Sequence, residues 1–384
     1  MKITVLGAGA IGTAVAHDLC RREGVTRVQV CEARPVVLRA LRGREAHPKL
    51  RTYKADARDT QTLLPVLTGS SVVVSCVGPE HSPHLAQLAL DIGAHFVDLG
   101  GPLNDPDLAE RAQARSRWIV TGAGLAPGLV NVLVMEALHG LDRPRGVRVL
   151  VGDIPADPTP PFNHRLAHSA EKLLDDYTCP VSVVRHGHVE TEQPMTGLES
   201  VHIDGFGEME AFYAGAGLGA LAGRLAGRLD RLDVKVLRYP GHAEQMRFLL
   251  DLGLADPTVL DVRTHLTYRD VLVRRLRQRL GGAYEDAVVV HVEAEAHPDG
   301  DAPGETRTFR LVDRFDDASG LTAMQRCTAF PAASVAYALA SGHAPGGGHE
   351  SFEAVLSAET LLSDLAERGI EIETRGAQLT PLAA

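Results

Sequence analysis

The stretch "KITVLGAGAIGTAVAHDLCRRE", Lys2 to Glu23, decides the fold. A short β-forming run enters a glycine turn, and the turn opens directly into apolar residues at helical spacing. Gly7, Gly9 and Gly12 stand in the GxGxxG pattern. The first permits a tight turn, the second lets a pyrophosphate approach the backbone, and the third lets helix and strand pack closely. Ala10 and Ile11 then begin the helix, whose unpaired amides and dipole favour an anion. An acidic residue should close the next strand, and Glu32 does so at the end of "RVQVCEA". A carboxylate there accepts hydrogen bonds from the adenosine ribose and repels a 2'-phosphate, which makes NAD the expected cofactor. Ala33 lies on the same rim. Arg34 beside it is able to bind a 2'-phosphate and keeps NADP open.

Outward from this unit, the first 125 or so residues alternate strand and helix. "RTYKAD", "SVVVSCVGP", "HFVDLGG" and "RWIVTGAG" read as successive strands, each followed or preceded by a helical pattern. Near-continuous Val/Ile strands between helices mean a parallel sheet covered on both faces, a Rossmann-type domain. Ligands of such sheets sit at the carboxyl ends of the strands. Asp56 and Ala57 follow the third strand, and Cys76, Val77 and Gly78 the fourth. Asp98 and Gly100 follow the fifth, Gly100 being also a substrate-binding candidate, and Gly122, Ala123 and Gly124 the sixth. As a set these are expected to line the cofactor. Any one of them alone reads equally as a turn residue.

The pattern changes after Pro127. Longer strands with fewer helices follow: "VRVLVGDIP", "VSVVRHGHVE", "ESVHIDGF", "LDVKVLRYP", "AVVVHVEAEAHPDG" and "TRTFRLVDRFDD". Turn-rich segments separate them, among them the one from His297 to Gly304. This predicts a second α+β domain with a mixed sheet and helices on one face. Two helical runs, "LTAMQRCTAFPAASVAYALASG" and "SAETLLSDLAERG", close the chain with the loop "GHAPGGGHES" between them. The expected division is a Rossmann domain over residues 1–126, completed by about 340–384, and a substrate and dimerisation domain over 127–339.

Composition narrows the function classes. The 384 residues carry a formal net charge of −10 with 45% hydrophobic content. That balance argues against nucleic acid or an anionic membrane as partner. The five cysteines lack CxxC spacing and suggest free thiols in a reducing cytoplasm. The 17 histidines form no metal signature.

Several stretches resemble the saccharopine dehydrogenase-like family: "VVVSCVGPEHSPHLAQLALDIGAHFVDLGG", "GAGLAPGLVNVL" and "VLRYPGHAEQMRFLLDLGL". In its middle, from Val151 to Gly187, the chain is similar to lysine 6-dehydrogenases. The resemblance implies a Rossmann domain, a second domain whose mixed sheet makes a homodimer, and helices returning to the first domain. It implies NAD-dependent oxidation of the lysine side-chain amine to a semialdehyde, with release of ammonia. Gly122 stands where lysine 6-dehydrogenases tend to carry an acidic residue, and His168 where the family usually has an aromatic. Two further readings follow from these departures. One is a reductase joining an aldehyde to an amine, of the saccharopine or carboxypolyamine type. The other is a non-catalytic NAD(H)-binding regulator.

Such chemistry needs a held cofactor, a base for the amine, an activated water and a substrate anchor. In "VLRYPGHAEQMRFLL" a strand stops at Pro240-Gly241 and becomes a helix. Arg238 at that joint is either a bidentate anchor for a substrate carboxylate, aided by the helix N-terminus, or half of an internal salt bridge. His242 is either an acid–base group near neutral pH or a helix-start residue bonding the chain. Tyr239, by strand alternation, points away from Arg238. A second candidate is "FNHRLAHSAEKLLDDYT", a loop entering a helix with Ser169 as N-cap. Its Asn163, His164, His168 and Ser169 are expected near the substrate, with Tyr177 as a catalytic candidate. Asp98, at the cofactor edge, is the remaining catalytic candidate, placed to pair with an amine.

Overall fold

The structure, a computed structural model, describes residues 1–101, 103–215, 217–298 and 304–375. Part of the His297–Gly304 turn and the last nine residues lie outside the described residues. The chain divides into two compact units, residues 1–136 with 325–371 and residues 137–324 with 372–375. The first unit therefore runs later than residue 126 and resumes earlier than 340, because the helices at both crossings belong largely to it.

The first unit alternates as follows: β1 (Lys2–Leu6), α1 (Ala10–Arg21), β2 (Arg27–Glu32), α2 (Pro35–Arg44), β3 (Leu50–Lys54), α3 (Thr60–Leu67), β4 (Val72–Ser75), α4 (Ser82–Asp91), β5 (His95–Asp98), α5 (Pro106–Ala114), β6 (Trp118–Thr121) and α6 (Leu129–Leu138). The second unit carries β7 (Pro144–Pro155), α7 (Ala170–Thr178), β8 (Val181–Arg185), β9 (His188–Glu192), β10 (Glu199–Ile203), β11 (Gly207–Phe212), α8 (Leu221–Leu225), β12 (Arg231–Arg238), α9 (His242–Asp251), β13 (Val259–Asp261), β14 (Leu266–Thr267), α10 (Tyr268–Leu280), β15 (Asp286–Ala296) and β16 (Thr306–Arg314). The chain then returns through α11 (Ala323–Ser341), β17 (Gly348–Ser351) and α12 (Ala358–Ala366), and ends at β18 (Ile372–Arg375).

The first sheet has seven parallel strands in the order β17-β6-β5-β4-β1-β2-β3. Strand order reverses beside β1, the switch point where such sheets bind ligands. Its central strands are buried along their length, as their unbroken Val/Ile runs require. The loop expected over "GHAPGGGHES" ends in an edge strand. Gly348 to Ser351 pair in parallel with Trp118 to Thr121. Glycine makes this possible, since a Cβ on Gly347 would come within 2.5 Å of the Arg117 backbone nitrogen. The same glycines hid the strand, because they carry no β-forming pattern. Charged pairs fasten the returning segment to α1. Arg22 Nη2 donates to Asp364 (3.0 Å), and Arg368 Nη1 to Asp18 (2.8 Å).

The second sheet is mixed, in the order β10-β11-β12-β7-β15-β16-β18, with the β8–β9 hairpin also pairing β12. β12 runs parallel to β7, while β15 is antiparallel to β7 and β11 to β12. α7, α9 and α10 cover one face, burying Leu173, Leu174, Tyr177, Met246 and Leu276 against Phe212 and Val236. A second cluster, with Leu237, Ile154, Met209 and Val289, contains only strand residues. Val236 and Leu237 thus enter opposite clusters, which is strand alternation in practice. No helix among the described residues is long and apolar enough to cross a membrane.

Candidate functional site

In the first unit the glycine turn closes on protein at two points and stays open at a third. A Cβ on Gly12 would lie 1.9 Å from the Gly7 carbonyl oxygen, and one on Gly7 would lie 2.9 Å from that of Cys76. A Cβ on Gly9 would meet nothing within 4 Å. This is the arrangement a pyrophosphate needs, with free backbone approach at the second glycine and a tight helix at the third. Ala10 and Ile11 open α1 here. A cavity of about 320 Å³ runs along the strand ends, lined by Gly7, Glu32, Ala33, Arg34, Asp56, Ala57, Val77 and Gly78. Arg58 and His81 also line it and were not anticipated. The signal for Arg58 was present. Asp56-x-Arg58 repeats the Glu32-x-Arg34 pattern one strand over, and its guanidinium lies 2.7 Å from Asp56.

Glu32 is buried, and its carboxylate is occupied from two sides. Oε2 accepts from the Ala8 amide (3.2 Å), while Oε1 accepts from the amide (3.0 Å) and Nε (2.9 Å) of Arg34. Burial works against the charged form, but these hydrogen bonds outweigh it and hold the carboxyl below its ordinary range.

Other expected residues fall elsewhere in this unit. Cys76 backs the glycine turn through its carbonyl and does not line the cavity. Gly122 and Ala123 donate to the carbonyls of Gly100 (2.8 Å) and Asp98 (3.0 Å), and Gly124 to that of Pro127 (3.1 Å). These residues form a hydrogen-bonded pair of turns outside the cavity lining. A Cβ on Gly100, the substrate-binding candidate, would lie 2.8 Å from Asp98 Oδ2, so a side chain there would displace that carboxylate. Asp98, the catalytic candidate placed to pair with an amine, is engaged by the fold through one oxygen only. It is 0% exposed, its Oδ2 accepts from Ser82 Oγ at 2.8 Å while its Oδ1 has no partner, and burial pushes it toward its neutral form. It fastens the start of α4 to the end of β5.

In the second unit the strand-to-helix joint is built as the sequence indicated. Pro240 has no amide to extend the ladder, and Gly241 adopts φ +87°, so β12 stops and α9 starts at His242. The helix N-terminus is not free for a substrate anion. Glu210, opposite Arg238 in the β11–β12 register, accepts from the amides of Gly241 (3.0 Å) and Ala243.

His242 has 0% exposure and sits among the rings of Phe162, His164, Tyr177 and Phe212. Burial, and then the Arg238 charge, lower its pKa to about 3. It has no exposed surface and both ring nitrogens are bonded within the fold, which is the second of its two readings, a helix-start residue bonding the chain. Its tautomer follows from its partners. Phe162 O lies 2.8 Å from Nδ1 and only accepts, so Nδ1 carries the proton. Nε2 then accepts from the Tyr177 hydroxyl at 2.9 Å, and that oxygen accepts from Arg238 Nε at 3.0 Å. Tyr177, buried at 1% exposure with its hydroxyl engaged twice, is a positioning residue and not a proton donor to substrate. It reaches this place because Ala170, Leu173, Leu174 and Tyr177 form the apolar stripe of α7.

The chain of bonds ends on Arg238, whose Nη1 donates to Leu237 O at 2.8 Å. The guanidinium is half-buried, and no carboxylate among the described residues lies within ion-pair distance of it. The internal salt bridge that the sequence left open is absent there. Tyr239 points to the opposite face, packs with the Leu237 cluster and donates to Pro155 O at 3.2 Å.

Of the preceding loop, Phe162 is pinned to α9, its amide donating to Gln245 Oε1 at 3.0 Å. Phe162 and Asn163 both take positive φ, and Asn163 is half-buried. Ser169 spends its hydroxyl capping α7, accepting from the Lys172 amide at 3.1 Å, and His168 beside it is exposed. Ser169 is thereby committed to the helix, while His168 lies within reach of the Arg238 charge. Two groups that sequence reading missed stand near Arg238 as well. Asp153 lies near the end of β7 and is 7% exposed, Tyr284 precedes β15, and both feel the Arg238 charge. Asp153 was masked by the apolar run around it, and Tyr284 by its place in a loop.

A glycine-turn parallel sheet with a strand-end cavity, followed by a mixed-sheet unit presenting an oriented arginine, defines a two-part nicotinamide-dependent oxidoreductase. The chain belongs to the saccharopine dehydrogenase family. The saccharopine dehydrogenase NADP binding domain matches residues 3–120, and the saccharopine dehydrogenase C-terminal domain matches residues 124–370. Members are NAD(P)-dependent oxidoreductases acting on CH–NH groups, and this chain binds NAD(P). Its fold is similar to that of apo saccharopine dehydrogenase (L-Glu forming) from Saccharomyces cerevisiae, with TM-score 0.80, 18% identity, and 97% of this chain and 99% of that chain covered. It is also similar to a homospermidine synthase from Legionella pneumophila solved with NAD, with TM-score 0.68, 12% identity, and 98% and 91% covered.

Proposed function

We propose that this protein uses NAD to oxidise the side-chain amine of lysine or a related basic amino acid. One observation carries the reading: Arg238 is oriented, half-buried and without a carboxylate partner among the described residues. An arginine fixed in this way is suited to bidentate capture of a carboxylate from outside the protein, and an α-carboxylate fits it in shape and charge. NAD, which the glycine turn and Glu32 would hold, would supply the acceptor for a hydride from the carbon that bears the nitrogen. The amine loses that hydride and one proton to become an imine, and water then replaces nitrogen to give an aldehyde and ammonia. Arg238 fixes the far end of the substrate, while Tyr177 and His242 hold the guanidinium in its plane. Glu32 supports NAD over NADP, since its buried carboxylate faces the cavity and Arg34 is already paired to it.

Family membership supports a second reading, reductive joining of an aldehyde and an amine. In either direction we place homodimer formation on the second-unit sheet, where Val201, Phe206, Tyr239 and Val312 remain partly exposed beside the Leu237 cluster. The test is incubation with NAD and a panel of amines, following absorbance of the reduced cofactor. Turnover of a basic amino acid with ammonia release is expected. Activity only with a reduced cofactor and two organic substrates selects the second reading. Absence of turnover with amines and imines, despite NAD binding, contradicts both.

A further inference from the structure

Three side-chain polar atoms that feel the Arg238 charge are buried without a hydrogen-bond partner: Asp153 Oδ1, His164 Nδ1 and the Tyr284 hydroxyl. Native interiors rarely leave such atoms unpaired, and each is a candidate ligand contact. Asp153 stands out because its neighbour shows the alternative. Asp286, the nearby carboxylate at the start of β15, is fully used by the fold, accepting from the amides of Ala323 (2.6 Å) and Met324 (2.9 Å). Asp153 has no such use for Oδ1, yet is 7% exposed. A buried carboxylate without a partner costs stability unless a ligand or cation meets it.

The sheet sets Asp153 beside Arg238. β7 and β12 are parallel, with Gly152 paired to Leu237, so Asp153 and Arg238 are the next residues on adjoining strands. Such strands lie about 4.8 Å apart. The two opposite charges nevertheless form no ion pair. A ligand carrying both charges on neighbouring atoms would bridge them, and a zwitterionic α-amino-acid head does so.

We propose that Asp153 and Arg238 together read the zwitterionic head of an α-amino acid, Arg238 its carboxylate and Asp153 its α-ammonium, with the Tyr284 hydroxyl as a third contact. The proposal rests on the carboxylate-anchor reading of Arg238 and adds a specificity-determining residue to it. Substrates would be α-amino acids with a free head, and plain diamines or ω-amino acids would bind poorly.

The experiment is calorimetric titration of the full-length, NAD-saturated protein with L-lysine, ε-aminocaproate (no α-amine) and cadaverine (no carboxylate). The native protein should bind L-lysine at least about 30-fold more tightly than either analogue, the scale of a charge-assisted contact. Asp153→Asn should abolish the preference over ε-aminocaproate and keep the preference over cadaverine. Arg238→Ala should do the reverse. Tyr284→Phe, a milder change, should weaken L-lysine by a few-fold and leave ε-aminocaproate unchanged. Equal weakening of L-lysine and ε-aminocaproate by Asp153→Asn overturns the proposal, as does a native protein that does not prefer L-lysine. Because binding is read directly, the pattern can hold even where the amine panel shows no oxidation. In that case the proposed reaction fails and this inference stands.

Discussion

Glu32 and Asp153 are both buried carboxylates, the first at the carboxyl end of its strand and the second near it, one in each unit, and they are treated in opposite ways. Glu32 is satisfied before any ligand arrives, by the Ala8 amide and by Arg34. Asp153 keeps an unpartnered oxygen beside an arginine it does not pair with. A cofactor site built around phosphates draws on backbone amides and glycine space, so its side chains can settle among themselves. A site that selects a small charged molecule must keep charges in reserve, at a cost to stability.

The comparison is most sharply tested at the glycines. Gly12→Ala places a Cβ against the Gly7 carbonyl, so the turn must move. NADH affinity should fall by about 100-fold or more, and the unfolding temperature by about 5 °C or more. Gly9→Ala meets no protein atom, so it should weaken NADH while leaving unfolding unchanged. Fluorescence titration and thermal scans check both. Native NADH affinity in Gly12→Ala would break the account of the first unit.

In the second unit, Tyr177→Phe removes the hydroxyl that joins His242 to Arg238. The amino-acid KM should rise by about tenfold, with kcat and the NAD KM nearly unchanged. Glu32→Gln, by removing charge at the ribose edge, should raise the use of NADP relative to NAD by about fivefold.

The smallest expected effect concerns stability. Burial raises the Asp153 pKa to about 7, with Arg238 opposing and Asp286 adding to the rise. A carboxyl whose folded pKa lies above its unfolded value, about 3.9, stabilises the fold below that value. That contribution is lost as pH rises through the folded pKa. Asn carries no such proton. Asp153→Asn should therefore unfold a few degrees above the native protein at about pH 8, the gap narrowing as pH falls toward about 4. A lower unfolding temperature at about pH 8 would mean that Asp153 has a partner and that the contrast with Glu32 is false.

The same contrast explains what the sequence made legible. Lys2 to Glu32 is one contiguous βαβ stretch, so spacing alone carried the glycine turn, the acidic strand end and the parallel sheet. The edge strand at Gly348 escaped because its glycines serve close backbone approach and carry no alternation. β18 escaped because a short, exposed edge segment has no apolar face to betray it. In the second unit Arg238 was visible at its joint, but Asp153 and Tyr284 reach it only through pairing of β12 with β7 and of β7 with β15. The choice between the two readings of His242 was hidden for the same reason. Its ionisation depends on Phe162, His164 and Phe212, which close around it in space and not in sequence.

The central claim is that Arg238, held by Tyr177 and Leu237, receives a substrate carboxylate. Steady-state kinetics of Arg238→Ala tests it most directly. The account predicts a rise of about 100-fold in the amino-acid KM with the NAD KM and unfolding temperature unchanged. An equal rise in both KM values, or none in either, would contradict it.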